Sequence, residues 1–424
     1  MLDMKMIRLR AKEVQEAAIR RKIPFDVKEL IAADDWRRMQ MAAAEKLREE
    51  RNRFAAAISE LLRGGRIREA EEKKKEAAAL HDRLALAETG LRDAREEFDR
   101  LMRLVPNLIS PDTPEGDNDR DNVELRTDGQ PPQFEFAPKD HVELGRLLDL
   151  IDVDRGVKIG GSRQYVLKGN GALLHRAVQQ LAVDLLLEQG FTLLELPAMT
   201  KEEAFVGTGF FPASRDQSFA VDGENLFLAG TAEVPLVSYY AGETLDLSQP
   251  LLLAAAGPCF RSEVGSAGRD VRGLYRVHQF AKVEQVVLCR ADLTLAEELL
   301  VRITAHAERL LQLLELPYRV VAVCAGDLSA KNYKQFDIET WMPSRNAYGE
   351  THSASLLLDY QARRSNIRYW DENGRLAFAY TLNGTMAASP RILIPLLECH
   401  QREDGTVRIP KALRPYIRGL EELK

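Results

Sequence analysis

Cysteine is scarce in this chain. Four occur in 424 residues, at positions 259, 289, 324 and 399, and no two form a CxxC pair. That excludes a zinc ribbon or a disulfide-stapled scaffold and fits a protein of the reducing cytoplasm. No apolar run approaches the ~20 residues of a membrane span. The opening stretch MLDMKMIRLRAKEVQEAAIRRK scatters charges where a secretory leader needs an unbroken apolar core, so neither a leader nor membrane contact is expected. GxGxxG and the Walker P-loop are both missing, so any nucleotide must be held by other means. Proline is absent from positions 34 to 104, where only three glycines occur, two of them adjacent at Gly64 and Gly65. A long stretch whose helix breakers are confined almost to one glycine pair has the pattern of two helices and a turn.

The same stretch has heptad spacing. Leu47, Phe54 and Leu61 recur every seven residues with Ile58 between them; beyond the glycines, Ala70, Ala77, Leu84, Leu91 and Phe98 repeat likewise, with Leu80, Ala87, Ala94 and Leu101 offset by three. This predicts an antiparallel coiled-coil hairpin over about 34–104, preceded by a short helical cap at about 5–31 broken at Pro24. Each arm would reach roughly 45–55 Å at 1.5 Å per residue. Net charge is −6, yet residues 1–105 hold 25 Lys+Arg against 21 Asp+Glu, leaving 34 against 44 for the remainder. A basic-leaning N-terminal domain on an acidic body points to an anionic partner for residues 1–105. Three prolines and a run of acids in VPNLISPDTPEGDNDRDN mark a linker, expected over 106–139. From 140 to 424 the pattern is mixed. HVELGRLLDLIDVDRG, ALLHRAVQQLAVDLLLEQ and LTLAEELLVRITAHAERLLQLLEL read as helices, and FTLLELPA, NLFLAG, VEQVVLCR, YRVVAVCA and LAFAYTLN as strands. The fold class expected is α+β, a mainly antiparallel sheet flanked by helices, with the hairpin at the N-terminus.

Four segments could carry chemistry. FRSEVGSAGRDVRGLYRVHQF, residues 260–280, places Arg261, Arg269, Arg272 and Arg276 among glycines. Guanidinium groups grip phosphate through a planar fork. Read as a strand, Arg261 and Glu263 face one side; on the next strand Phe280, Lys282 and Glu284 share a face with Arg276 and His278. Such a hairpin suits a nucleotide cradle, although an ordinary solvated hairpin has the same spacing. In LFLAGTAEVPLV, Thr231 and Glu233 stand between apolar flanks, where an unpaired carboxylate is costly. In TLNGTMAASPRILIPLLE, Asn383, Thr385 and Arg391 precede an apolar helix, with Pro390 suited to its first turn. In YGETHSASLLLDYQARR, Glu350 is followed by hydroxyls at Thr351, Ser353 and Ser355, hard oxygens suited to magnesium on phosphates.

Together these segments resemble the motifs of the class II seryl-tRNA synthetases. FRSEVGSAGRDVRGLYRVHQF is similar to that family's motif 2, GTAEVPL to its serine-binding segment, and TLNGTMAASPRIL with PLLECHQREDG to its motif 3; DYQARR, VPNLISPDTPEG and KDHVELG also resemble family segments. The likeness spans nearly the whole chain, hairpin included. It implies a serine–tRNA ligase that uses ATP and Mg2+ to form seryl-adenylate and charges tRNA for serine, and for selenocysteine, as a cytoplasmic homodimer. It implies that Arg261 binds the α-phosphate, Glu263 reads adenine, Phe280 stacks on it and Arg391 holds the γ-phosphate. Glu350 and Ser353 would hold magnesium, and Ser262, Val277, Thr351 and His352 would complete the ATP site. Arg261, Arg391 and Glu350 would be the catalytic set. Thr231, Ala232, Glu233, Arg261, Glu284, Asn383 and Thr385 would surround L-serine. The arm's basic residues, Lys46, Arg53, Arg63, Arg66, Arg68 and Lys73 among them, would meet tRNA; between 46 and 75 ten Lys+Arg stand against six acids.

ETHSASL departs from the family's ExxSCSN: Ala354 replaces the cysteine, Leu356 the asparagine, and His352 stands where serine or valine is usual. Read as lying beside the nucleotide, Leu356 removes a polar group there. His352 could touch a phosphate, fill space or face solvent. These departures keep a specialised paralogue in view, antibiotic-tolerant or biosynthetic. An amino-acid:carrier-protein ligase on the same core is the further alternative, and the intact arm and lack of a cysteine ligand site argue against it.

Overall fold

The computed structural model describes residues 2–265 and 273–424. They fall into two compact units, Asp3–Glu16 with Pro24–Val105, and Ala17–Ile23 with Pro106–Lys424.

In the first unit, α1 (Met4–Leu9) starts where the Asp3 carboxylate accepts from the N–H groups of Lys5 and Met6, and α2 begins at Ala11. Asp26 caps α3 (Val27–Arg63), and α4 (Ile67–Leu104) returns alongside it. The turn uses Gly65 at φ +72°, a left-handed conformation that glycine adopts without strain. Leu80, Leu84, Leu91, Ala94 and Leu101 are buried along the seam, while Leu47, Phe54, Ile58 and Leu61 near the tip are half-buried. The heptad positions are therefore the packed ones. The helix starts at Val27, earlier than the spacing predicts, because Asp26 caps it, and Asp34 lies inside it rather than at its start. Asp34 is 2% exposed and accepts from Arg8 at 2.7 Å and Arg37 at 2.6 Å, which lets a charge sit inside the helix cluster.

The second unit is built on an eight-stranded sheet. Its strands are β1 (Val123–Asp128), β2 (Thr192–Leu193), β3 (Leu251–Phe260), β4 (Gln279–Cys289), β5 (Tyr318–Ala322), β6 (Lys334–Met342), β7 (Ala347–Leu358) and β8 (Tyr380–Ser389). They lie in the order β1-β5-β6-β7-β8-β4-β3-β2, antiparallel throughout except for β2 against β3. Two long helices, α5 (Gly169–Glu188) and α6 (Leu293–Leu313), share one core with Val283, Val287, Leu382, Ala354 and Leu356 of the central strands. Every second residue of those strands is thereby committed to the helix side, and the alternate residues face the other way.

Several local readings change. Residues 123–128, within the span expected as linker, form edge strand β1; all six are exposed, so no apolar alternation marked them. HVELGRLLDLIDVDRG is not one helix: it is helical over His141–Leu147, passes through Asp149 at φ +52°, and pairs Ile151–Asp152 as a short strand before turning helical again. β3 ends at Phe260, so Arg261 and Glu263 are loop residues, and Glu263 has φ +51°. Residues 274–278 are likewise outside β4. The apolar helix after Pro390 starts only at Leu393.

Candidate active site

On the sheet face away from α5 and α6, neighbouring strands bring together Lys282 and Glu284 of β4, Asn383 and Thr385 of β8, and Glu350 and Ser353 of β7. The last pair owes its position to a bulge. Glu350 pairs with Glu339 and His352 with Ile338, so Thr351 is an extra residue in the ladder. Glu350 and Ser353 are three apart and would otherwise point to opposite faces; the bulge puts both on the same cleft. A second bulge, at Met386, separates Thr385 on this face from Ala387 in the helix-side core.

The cleft has a volume of about 560 Å3, and Arg261, Glu263, Phe280, Glu350, Ser353 and Arg391 are on its wall. Val277 lines it as well. Arg261 donates through Nε to the Gly230 carbonyl at 3.2 Å, and its guanidinium lies 5.3 Å from the Phe280 ring centroid. Arg391 donates through Nε to the Tyr275 carbonyl at 3.1 Å and through Nη1 to the Glu350 carbonyl at 3.2 Å, over the Tyr275 ring. Both forks are thus fixed by backbone carbonyls before any anion arrives, which reduces the ordering cost of binding one. Glu263 faces Arg276 at 3.3 Å.

The base of the arginine-rich loop is pinned by two residues that spacing did not single out. His141 Nδ1 donates to Glu398 Oε1 at 2.8 Å, which leaves Nε2 to accept from the Leu274 N–H at 3.2 Å. Glu398 is fully buried and also accepts from the His141 and Ser344 N–H groups. A Cβ on Gly273 would sit 2.1 Å from His141 Nε2, so only glycine fits. The segments holding this pair were visible only as family-like runs, because a buried His–Glu contact 257 residues apart has no periodic signature.

Next to the cleft lies a buried charged cluster. Thr231 Oγ1 donates to Glu284 Oε2 at 3.1 Å and accepts from the Glu233 N–H at 3.2 Å. Lys282, which also lines the cleft, pairs with the same Glu284 oxygen. Glu233, the first residue of a short helix (Glu233–Ser238), has its Oε1 held by Lys331 Nζ at 2.5 Å and Gln361 Nε2 at 2.7 Å. Glu233 and Glu284 are 4% and 1% exposed, so each needs the cation it has. Asn383, 7% exposed, keeps its Nδ2 buried without a partner among the described residues. A buried orphan amide donor is costly unless a ligand acceptor satisfies it. Lys331 and Gln361 were not expected here. Lys331 sits in the loop before β6, where nothing in spacing distinguishes it from a surface lysine.

Other expected positions are placed differently. Ser262 Oγ donates to the Asp216 carbonyl at 2.6 Å, away from the cleft lining. Thr351 lines the cleft, but its hydroxyl is turned inward to Thr340 at 2.6 Å. His352 neither lines the cleft nor faces solvent: it is 1% exposed, 2.9 Å from the Thr351 hydroxyl, and burial pushes its pKa down to about 3. Leu356 is fully buried in the core shared with α5 and α6, on the opposite face from the cleft. The apolar departures in ETHSASL are therefore core residues. Arg269 and Arg272 lie outside the described residues.

In the hairpin unit Lys46, Arg53, Arg63, Arg66 and Arg68 are exposed and Lys73 half-buried. Their partners are local: Arg53 meets Glu49 at 3.6 Å, Arg66 meets Glu69 at 3.9 Å, Arg63 meets Ser59 at 3.1 Å and Lys73 meets Glu76 at 2.6 Å. Lys46 and Arg68 have no partner among the described residues. No helix among the described residues is long and apolar enough to cross a membrane.

Comparison with known proteins gives a consistent picture. Residues 218–400 match the family model of the tRNA synthetase class II core domain (G, H, P, S and T), and residues 1–109 match the seryl-tRNA synthetase N-terminal domain. A serine–tRNA ligase of Deinococcus radiodurans is 45% identical over all of this chain and 99% of its own length. One from Brucella melitensis is 41% identical over the same shares. Among solved structures, seryl-tRNA synthetase from Pyrococcus horikoshii complexed with ATP superposes with a TM-score of 0.89 at 36% identity, covering 100% of this chain and 99% of the other.

Proposed function

The chain belongs to the seryl-tRNA synthetase family and is a serine–tRNA ligase, and we propose that the cleft and the charged cluster next to it are where ATP and serine meet. The observation that carries this reading is their adjacency. The cleft that holds Arg261 and Arg391 is lined also by Lys282 and Thr385, and Lys282 pairs with Glu284 of the buried charged cluster that includes Glu233. Arginine forks suit a polyphosphate, and carboxylates with hydroxyl and amide donors suit an ammonium and a hydroxyl.

ATP binds with its α-phosphate on Arg261 and its γ-phosphate on Arg391, and with adenine on Phe280 beside Glu263 and Val277. Serine binds with its ammonium toward Glu233 and Glu284 and its polar groups toward Thr231, Asn383 and Thr385. A serine carboxylate oxygen attacks the α-phosphorus in line, the bond to the pyrophosphate oxygen breaks, and seryl-adenylate remains. The residues position the reactants and balance phosphate charge, which is most of what phosphoryl and nucleotidyl transfer need from a protein. The tRNA 3′-hydroxyl then attacks the seryl carbonyl and AMP leaves. Glu350 and Ser353 fit magnesium, since both offer hard oxygens to the cleft. Burial chiefly, and the neighbouring Glu350 next, push the adjacent Asp337 carboxyl up. The ion supplies neutralisation of the outer phosphates when bound. A site that hydrogen-bonds the serine hydroxyl rejects alanine strongly, because its buried polar groups would be left unpaired.

The hairpin is the proposed tRNA-binding part, through backbone phosphates. A homodimer in the cytoplasm, with selenocysteine tRNA as a second acceptor, completes the reading. A carrier-protein ligase is not favoured, given the N-terminal domain match over residues 1–109. ATP–pyrophosphate exchange with each of the twenty amino acids tests the activation step. Exchange with serine, and at most traces with alanine and threonine, is expected; exchange with another amino acid and none with serine refutes it.

A further inference from the structure

Glu233 and Glu284 are held by one arrangement used twice. Each carboxylate has one oxygen gripped by a lysine and a neutral donor: Glu284 Oε2 by Lys282 and Thr231, and Glu233 Oε1 by Lys331 and Gln361. The second oxygen of each has no partner among the described residues. Resting on the reading of this cluster as the serine site, we propose that Lys331 is a positioning residue for serine: it holds Glu233 turned so that its second oxygen faces the substrate ammonium.

Three features support a built contact. The Lys331 side chain is 12% exposed, and its Nζ lies 3.9 Å from the Phe210 ring centroid, so the ammonium is held by an aromatic ring as well as by the carboxylate. Its backbone is fixed from below. The Asn107 N–H donates to the Ala330 carbonyl at 2.8 Å, and Asn107 Nδ2 to the Lys331 carbonyl at 2.9 Å and the Leu357 carbonyl at 2.8 Å. Asn107 and its neighbour are held in turn by Arg21, which donates to the Asn107 and Leu108 carbonyls. Gln361 is locked as well: its Oε1 accepts from Thr381 Oγ1 at 2.8 Å, which fixes the amide so that Nε2 faces Glu233. The charged groups bearing on the pair are Lys282 and Glu284 of β4, and with them the cluster holds two carboxylates and two ammonium groups. Burial lowers the Lys331 pKa, and Glu233 opposes that shift.

Without Lys331, Glu233 is a buried carboxylate held only by the Gln361 amide, and its charge loses the cation that balances and orients it. The test uses the full-length enzyme in serine-dependent ATP–pyrophosphate exchange, comparing wild type, Lys331→Met and Lys331→Arg, with thermal melting of each. Lys331→Met is expected to raise the KM for serine about tenfold or more. The KM for ATP and kcat should stay within about twofold, and Lys331→Arg should recover most of the serine affinity. A serine KM for Lys331→Met within twofold of wild type overturns the proposal. So does an equal loss in both variants that follows a common fall in melting temperature. Wild type without serine-dependent exchange refutes the underlying reading itself; wild type with exchange and an indifferent Lys331→Met refutes this inference alone.

Discussion

The hairpin and the sheet face both use lysine and arginine, in opposite ways. On the hairpin most cations are solvated and, apart from Arg48 against Glu88 across the seam, those that are paired meet a partner about one turn away on the same helix, as with Arg53 and Glu49 or Lys73 and Glu76. On the sheet face they are enclosed, and although Lys282 meets Glu284 on its own strand, other partners come from far along the chain: Lys331 meets Glu233 98 residues earlier, and Arg391 meets the Tyr275 carbonyl 116 residues earlier. Exposed one-turn pairs contribute a few tenths of a kcal/mol each and exchange readily for phosphate. Enclosed pairs are costly to break and hold atoms in fixed positions. The first arrangement suits a surface that follows an RNA backbone, the second a pocket that must align reacting groups.

The contrast is broken most strongly at Arg261. Arg261→Ala should lower serine-dependent exchange by about 10^3, because a preorganised charge donor is lost where charge develops. Melting temperature should change little, since the guanidinium is anchored by a single backbone hydrogen bond. Next comes Leu356→Asn. In the core beneath β7 it should destabilise the protein by about 3 kcal/mol, seen as a lower urea midpoint, with the KM for ATP within about twofold. A changed ATP affinity at unchanged stability would return Leu356 to the nucleotide side.

Acid should separate the two units more gently. Burial pushes His175 and His306 down to about 4 and His352 to about 3, all in the sheet unit. Their folded pKa values lie below the ordinary 6.5, so the unfolded chain takes up protons first, and stability is lost as pH falls from about 6.5 toward 4. The hairpin unit has a single, exposed histidine, His81, and its buried Asp34 is held below the ordinary carboxylate range: burial pushes it up, but bonds from Arg8 and Arg37 outweigh that. Asp34's contribution is present above that range and fades only in stronger acid. Hydrogen exchange between pH 7 and 5 should therefore show loosening in the sheet unit and unchanged protection in α3 and α4. The smallest effect is expected for Lys46→Ala and Arg68→Ala. Each should weaken tRNA binding two- to threefold and lower the log–log salt slope by about 1, leaving exchange unaffected.

These differences also govern what could be read before the fold was seen. The hairpin was legible because every heptad position serves one seam, and Leu80, Leu84 and Leu91 are buried as spaced. Arg261, Phe280 and Arg391, singled out by their motifs, do line one cleft, although the strand argument that placed Arg261 and Glu263 on one face fails, since both lie beyond β3. ETHSASL misled because Thr351 bulges: the residues after it change face relative to Glu350, and Leu356, taken for a pocket residue, belongs to the core. Lys331 and the His141–Glu398 pair stayed hidden, since contacts between distant loops have neither period nor spacing. β1 was missed for a different reason: an edge strand exposed at every residue has no alternation to detect.

The division of labour is tested most directly by shortening the arm while leaving the pocket intact. Arg48 and Glu88 face each other across the hairpin at 2.9 Å, so residues 49–87 can be replaced by a two-glycine turn joining them. The shortened enzyme is predicted to keep serine-dependent exchange within about twofold and to lose at least about a hundredfold in kcat/KM for charging serine tRNA. Unchanged charging, or exchange lost along with charging, would contradict the account.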